Sequence, residues 1–255
     1  MLAAMKSLVK HGAIRLLLLS EERERAQGGL DADDLLGPER WGCDRDFSGQ
    51  LRIDGVGVRE LAENYGTPLH VLNERHLLST YREFLGCFQD VYPKTILATS
   101  YKTNPLPFAL RALHKAGSHA EVISYFEFWL ARRLGVPPEK IILNGPGKGN
   151  DALRDAVNAK VRIINIDGPS EIPKIAGFAK ERGVRQAVGL RVITSVGWSS
   201  QFGLSLASGE AENAFRQMLE FPELVPSGLH LHLGTGIQSI DTYVHAVREL
   251  VEFGA

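Results

Sequence analysis

The chain has 255 residues, 44% of them hydrophobic, and a formal net charge of -1 at neutral pH. That length and apolar content suffice for one large core with or without a small appendage, and so balanced a charge lacks the field that nucleic acid or an anionic membrane would require. Small-molecule chemistry is the class that remains, with no nucleic-acid or membrane partner expected.

Two cysteines, Cys43 and Cys87, share no CxxC spacing. They argue against a disulfide scaffold, are read as structural, and fit a reducing, cytoplasmic compartment. Residues 1–25 read as a helix ending in the solvated charge run Glu21-Glu22-Arg23-Glu24-Arg25, and the apolar run Leu16 to Leu19 is too short for a signal-peptide core or a membrane span. Residues 26–55 carry little periodicity and are expected to be an irregular lead-in. The chain therefore divides into residues 1–55, a helix with that lead-in, and residues 56–255, the main domain. A helix is predicted over Val58 to Tyr65, a turn at Gly66-Thr67-Pro68, a strand over Leu69 to Leu72 and a helix over His76 to Phe88.

From Ile96 the pattern becomes regular. Strands are predicted at Ile96–Tyr101, His119–Ile123, Ile141–Asn144, Arg162–Ile166, Ala187–Val192 and Leu229–Leu233, their near-continuous apolar content being what strands covered on both faces require. Ser124 and Glu127 form a capping box, with Gly135 closing that helix. Ser208 is expected to cap a helix with Ala211, Ala214, Phe215, Met218 and Leu219 on one face. A final helix is expected over Thr242 to Phe253. Repeated strand–helix units imply a parallel sheet with right-handed crossovers. An eight-unit barrel takes about 250 residues, and the roughly 160 from Ile96 onward hold five or six units. The α/β class is thus either a smaller doubly wound sheet or a (β/α)8 TIM-type barrel lacking its last two units.

Both architectures gather chemistry at the carboxyl ends of their strands. Those ends carry Lys102, Glu121 and Ser124, Asn144-Gly145-Pro146-Gly147, Asp167, Arg191, and His232-Leu233-Gly234-Thr235-Gly236. In Ser100-Tyr101-Lys102-Thr103-Asn104-Pro105 the lysine is either a snorkelling surface residue or a nucleophile whose charge burial disfavours. The set suits a phosphorylated carbonyl cofactor: an amine for a Schiff base, an imidazole to stack on a ring, and glycine amides with Thr235 for a phosphate. Other readings carry less. His230 and His232 resemble a metal HxH motif but lie on the last visible strand, so no metal is expected. Gly145-Pro146-Gly147-Lys148-Gly149 lacks the Walker spacing and reads as a strand-to-helix turn. Asp167 reads as a turn or cap residue, and Trp198 and Phe202 as packing.

The ordered set Tyr65-Gly66-Thr67-Pro68-Leu69, Tyr101-Lys102-Thr103-Asn104, Ala120-Glu121-Val122-Ile123-Ser124 with Glu127, Asn144-Gly145-Pro146, Ile166-Asp167 with Ser170-Glu171, Gly189-Leu190-Arg191-Val192, Phe202-Gly203 and His230 to Gly236 resembles the fold-type III pyridoxal-phosphate decarboxylases acting on ornithine, diaminopimelate and arginine. Their barrel is related to that of alanine racemase. The resemblance covers about residues 56–255. It implies pyridoxal 5'-phosphate as cofactor, Lys102 as the Schiff-base lysine, Glu121 near it, Arg191 on the ring-oxygen side, His232 stacked on the ring, and Thr235 holding the phosphate where the family usually has serine. Ser100, Gly234 and Gly236 join them in cofactor binding. Gln201 stands where the family commonly has a lysine that reaches across a subunit interface. The family's second glycine-rich loop, its acidic pyridine partner and its C-terminal β domain have no counterpart here, so the N-terminal portion of an amino-acid decarboxylase, a homodimer at full length, is what the resemblance implies. A non-catalytic binding homologue and a racemase on the same barrel are the alternatives.

Overall fold

The computed structural model of the chain describes residues 37–197, 201–237 and 239–254. The helix expected over residues 1–25, and Trp198, lie outside them. The chain divides into two compact units at Thr80 and Tyr81.

In the first unit the expected irregular lead-in is, over its described part, a three-stranded antiparallel sheet: β1 (Cys43–Arg45), β2 (Leu51–Ile53) and β3 (Val56–Gly57). Two turns build it. Asp46 Oδ1 accepts the Ser48 N–H at 2.8 Å and the Gln50 N–H at 3.0 Å. Asp54-Gly55 then joins β2 to β3 with φ of 51° and 85°, the two-residue reversal that follows strand twist. α1 (Val58–Tyr65) fills its predicted span and stops at Gly66, whose φ is 78°. Leu69 to Leu72 is not a strand. Leu69 and Val71 are 40% and 42% exposed, and among the described residues no strand pairs with the run, so its alternation joins no ladder. α2 (Glu74–Gln89) begins in the first unit and ends in the second.

The second unit is built from repeating strand–helix steps. They are β4 (Ala98–Ser100), α3 (Pro107–Lys115), β5 (His119–Val122), α4 (Tyr125–Arg133), β6 (Ile141–Leu143), α5 (Asn150–Ala159), β7 (Ile163–Ile166) and α6 (Ile172–Arg182). After β8 (Gln186–Ile193) come the short β9 (Leu204–Ser205), α7 (Glu210–Leu219), β10 (Leu224–Leu231) and α8 (Ile240–Gly254). The sheet runs β4-β5-β6-β7-β8-β10 with every neighbour parallel, and β9 pairs with the end of β8. A doubly wound sheet reverses its strand order at a switch point. No reversal occurs here, so the six strands form an arc of a (β/α) barrel, with β4 and β10 as its edges among the described residues.

The core lies between this arc and its helices. Leu110, Ile141, Leu143, Leu153, Ile164, Ile166, Ile172 and Ile175 are completely buried. Truncating one of them leaves a void that close-packed neighbours fill only in part. Ile164→Ala, at the centre of β7, lowers unfolding free energy by about 2–5 kcal/mol in a denaturant melt.

Three local expectations change. β10 starts at Leu224 rather than Leu229: Pro226 is accommodated in a strand that is an edge among the described residues, with a register shift between Pro226 and Gly228. α7 is capped by Gly209 at φ 78° rather than by Ser208, and Glu210 instead accepts the Ser205 N–H at 3.0 Å. The Ser124 box also closes one residue early: Ser124 Oγ accepts the Glu127 N–H at 3.2 Å, while Glu127 Oε2 accepts from Ile123 N–H at 2.8 Å. Among the described residues no helix is long and apolar enough to cross a membrane.

Candidate active site

Lys102 is the first residue past the β4 ladder. Tyr101 still donates its N–H to the Glu121 carbonyl at 3.0 Å, and its ring is completely buried with the hydroxyl 2.7 Å from His114 Nε2. Strand alternation then turns Lys102 to the opposite side. A turn follows, in which the Ser100 carbonyl accepts the Thr103 N–H at 3.2 Å and the Thr103 hydroxyl at 2.8 Å. Lys102 is exposed, and its amine has no hydrogen-bond partner among the described residues. The desolvated lysine considered from the sequence is therefore not observed among the described residues.

Beside it, Ser100 pairs in register with Glu121 on β5. Glu121 Oε1 accepts from Asn144 Nδ2 at 2.8 Å, and Asn144 Oδ1 accepts from Asn165 Nδ2 at 2.6 Å. This relay crosses the ends of β5, β6 and β7. It depends on Gly189, which pairs with Asn165 across β7 and β8 and where any Cβ would collide with the Asn165 side chain. Glu121 thus spends an oxygen on Asn144, and no hydrogen bond joins it to Lys102 among the described residues.

On the far side of the arc, Arg191 Nη1 meets Asp167 Oδ1 at 2.9 Å, with side chains 12% and 13% exposed. The guanidinium carbon lies 5.2 Å from the centre of the Phe202 ring. Asp167 is thus an ion-pair partner, a role its turn position did not announce. His230 pairs in register with Arg191 and is partly buried; its Nδ1 has no partner among the described residues. His232 lies past the end of β10 and is exposed. Thr235 follows, flanked by Gly234 at φ 133° and Gly236 at φ 73°, backbone angles that favour glycine. No group of three His, Cys, Asp or Glu side chains that could hold a metal occurs among the described residues.

A second lysine, legible in the sequence only as part of a strand-to-helix turn, is buried and paired in the structure. Lys148 follows the Gly145 turn, whose φ of 90° and close approach to the Ile123 backbone admit no side chain. The Lys148 ammonium donates to Gly145 O at 2.7 Å, to Asn165 O at 2.8 Å and to Glu171 Oε2 at 2.8 Å. Burial pushes its pKa below the ordinary lysine value, and Glu171 opposes that shift. All three N–H groups are occupied, so this amine is not a nucleophile.

Burial, helped by Arg191, His232 and Lys148, pushes His230 down to about 4. The unfolded chain binds a proton at this imidazole near its ordinary 6.5 while the folded chain refuses it, so the stability it contributes is complete above pH 6.5 and is lost as pH falls toward 4. Wild type loses on the order of 3 kcal/mol across that window through His230, and His230→Gln flattens that part of a stability profile measured by denaturation at successive pH values.

Comparison with known proteins bears on these strand ends. The family described as pyridoxal-dependent decarboxylase, pyridoxal binding domain, matches residues 78–254. The chain is 31% identical over 220 residues to the diaminopimelate decarboxylase of Methanocaldococcus jannaschii and 29% identical over 214 residues to that of Aquifex aeolicus, in each case covering 80% of this chain and 50% of the relative. The crystal structure of the M. jannaschii enzyme in complex with L-lysine superposes with a TM-score of 0.78 at 30% identity, over 83% of this chain and 52% of that one. The chain spans about half the length of the curated relatives it matches.

Proposed function

This chain belongs to the pyridoxal-dependent decarboxylase family, whose pyridoxal-binding domain it carries at residues 78–254, and we propose that it is the cofactor-holding half of an enzyme that removes carbon dioxide from an α-amino acid. The substrate class is a diaminopimelate-, ornithine- or arginine-like amino acid. Its relatives named as diaminopimelate decarboxylases favour the first. A cytoplasmic homodimer at full length is part of the same reading.

The observation that carries it is the contrast between two lysines on one rim: Lys102 exposed and unpartnered among the described residues, Lys148 buried with every donor used. The donor set also fits a flat phosphorylated aldehyde. His230 keeps a buried ring nitrogen without a partner, and at Gly236 the space where a Cβ would stand is open for a phosphate to approach the backbone. Pyridoxal phosphate, when bound, supplies a carbonyl that an amine can capture and a ring that accepts the electron pair left when carbon dioxide departs.

The protein's own part is capture and placement. Lys102 offers the amine at the open end of β4. Its neighbour Tyr101, locked in the core, fixes the backbone from which it reaches. Glu121, at the end of β5, has its carboxylate fixed by the Asn144 amide. Arg191, already paired with Asp167, presents a cation whose direction is set in advance rather than found on binding. His230 is neutral at pH 7 and adds no charge against Arg191. His232, Thr235, Gly234 and Gly236 close the rim after β10, with Ser100 beside Lys102.

Titrating the purified chain with pyridoxal phosphate tests this reading. A saturable visible absorbance band, absent from pyridoxal phosphate mixed with an unrelated protein, supports it. A wild-type chain that binds none contradicts it.

A further inference from the structure

The most deeply buried charges of the second unit lie in the turns that follow β6 and β7. The Lys148 side chain is 1% exposed and that of Glu171 7%. Burying two charges costs desolvation that their attraction does not reliably repay, so stability alone is a weak reason for the pair. What Glu171 holds is more informative. Its Oε1 accepts the Lys148 N–H at 3.3 Å, and its Oε2 takes both the Lys148 ammonium and the Asp167 N–H, the latter at 3.0 Å. Asp167 in turn holds Arg191 at 2.9 Å. Two ion pairs, Lys148–Glu171 and Asp167–Arg191, are therefore joined through the Asp167 backbone N–H, and the linked set runs from the turn after β6, through the turn after β7, to β8.

We propose that Lys148 and Glu171 are positioning residues for Arg191: the buried ammonium fixes the Glu171 carboxylate, Glu171 fixes the Asp167 backbone at the end of β7, and Asp167 aims the guanidinium at the cofactor. This rests on the reading that Arg191 faces pyridoxal phosphate. Two features of the geometry support it. Lys148 also ties the Gly145 and Asn165 carbonyls, so a single ammonium sets the spacing of the β6 and β7 ends. Arg191 is confined from its other side by the Phe202 ring, leaving Asp167 as the anionic contact that selects its direction.

The test is a double-mutant cycle read by pyridoxal-phosphate affinity, using Glu171→Gln, Arg191→Met and the double variant of the full chain. Each single change weakens binding about tenfold, and the double is no weaker than Arg191→Met alone, because Glu171 acts only through the guanidinium. Effects that multiply to about a hundredfold overturn the proposal. Cofactor-free crystal structures of wild type and Glu171→Gln give a second reading. Loss of the Asp167–Arg191 contact in the variant supports the proposal, and its retention in an otherwise folded variant overturns it even if no form binds the cofactor. Should Glu171→Gln fail to fold, Glu171→Asp keeps the charge opposite Lys148 but is too short to hold the Asp167 N–H as well, and the same two outcomes apply.

Discussion

Lys102→Ala abolishes borohydride-stable labelling of the chain by pyridoxal phosphate and weakens cofactor binding by about a hundredfold, on the order of 3 kcal/mol. The argument is one of supply. Two lysines follow strands of the arc at its carboxyl rim, Lys102 after β4 and Lys148 after β6, but of the two only Lys102 has an unpartnered amine among the described residues. Lys148 would have to break three hydrogen bonds, one of them to a carboxylate, before it could attack a carbonyl. Lys102→Arg keeps the positive charge without a comparable nucleophile and fails the same labelling test. Neither change affects folding much. The residue is exposed and unpartnered among the described residues, so the denaturation midpoint stays within the roughly 0.5 kcal/mol typical of surface substitutions. A snorkelling lysine would leave cofactor labelling untouched, and that outcome restores the bland reading of the hexapeptide.

Lys148→Met has the opposite profile. It strands the Glu171 carboxylate in a buried site and frees the Gly145 and Asn165 carbonyls, a loss of about 3–5 kcal/mol in unfolding free energy. Adding Glu171→Leu removes the stranded charge and recovers part of the loss, since a well-packed apolar pair can match a buried ion pair. Urea midpoints of the single and double variants check both statements. A single variant as stable as wild type contradicts the buried-pair geometry.

The barrel arc was legible because six strands covered on both faces leave long apolar runs between capped helices, and each predicted strand from Ile96 onward overlaps an observed one. Local pattern left barrel and doubly wound sheet open, the family resemblance implied the barrel, and the strand order, which pairing across the sheet fixes, agrees with it. Leu69 to Leu72 misled because alternation marks a strand only where a ladder partner exists. Asp54-Gly55 between Ile53 and Val56 carried a hairpin signal that the flanking Gly- and Asp-rich composition obscured. At the site, Lys102, Glu121, Arg191 and the His230 to Gly236 segment were visible as polar residues at the ends of apolar strands. Their couplings were not. Asn144 meets Glu121 across 23 positions, Asn165 meets Asn144 across 21, and Lys148 meets Glu171 across 23, separations at which no sequence period speaks. Gly189 was visible only as part of a strand motif, and its use in clearing room for Asn165 follows from register alone.

Peptide mapping of the full-length wild-type chain, reduced with borohydride in the presence of pyridoxal phosphate, bears on the site as a whole. The mass of one reduced cofactor is predicted on the peptide containing Lys102 and on no other. A label on Lys148, a scatter across surface lysines, or an unlabelled chain would contradict the assignment of this strand end as the place where the cofactor is captured.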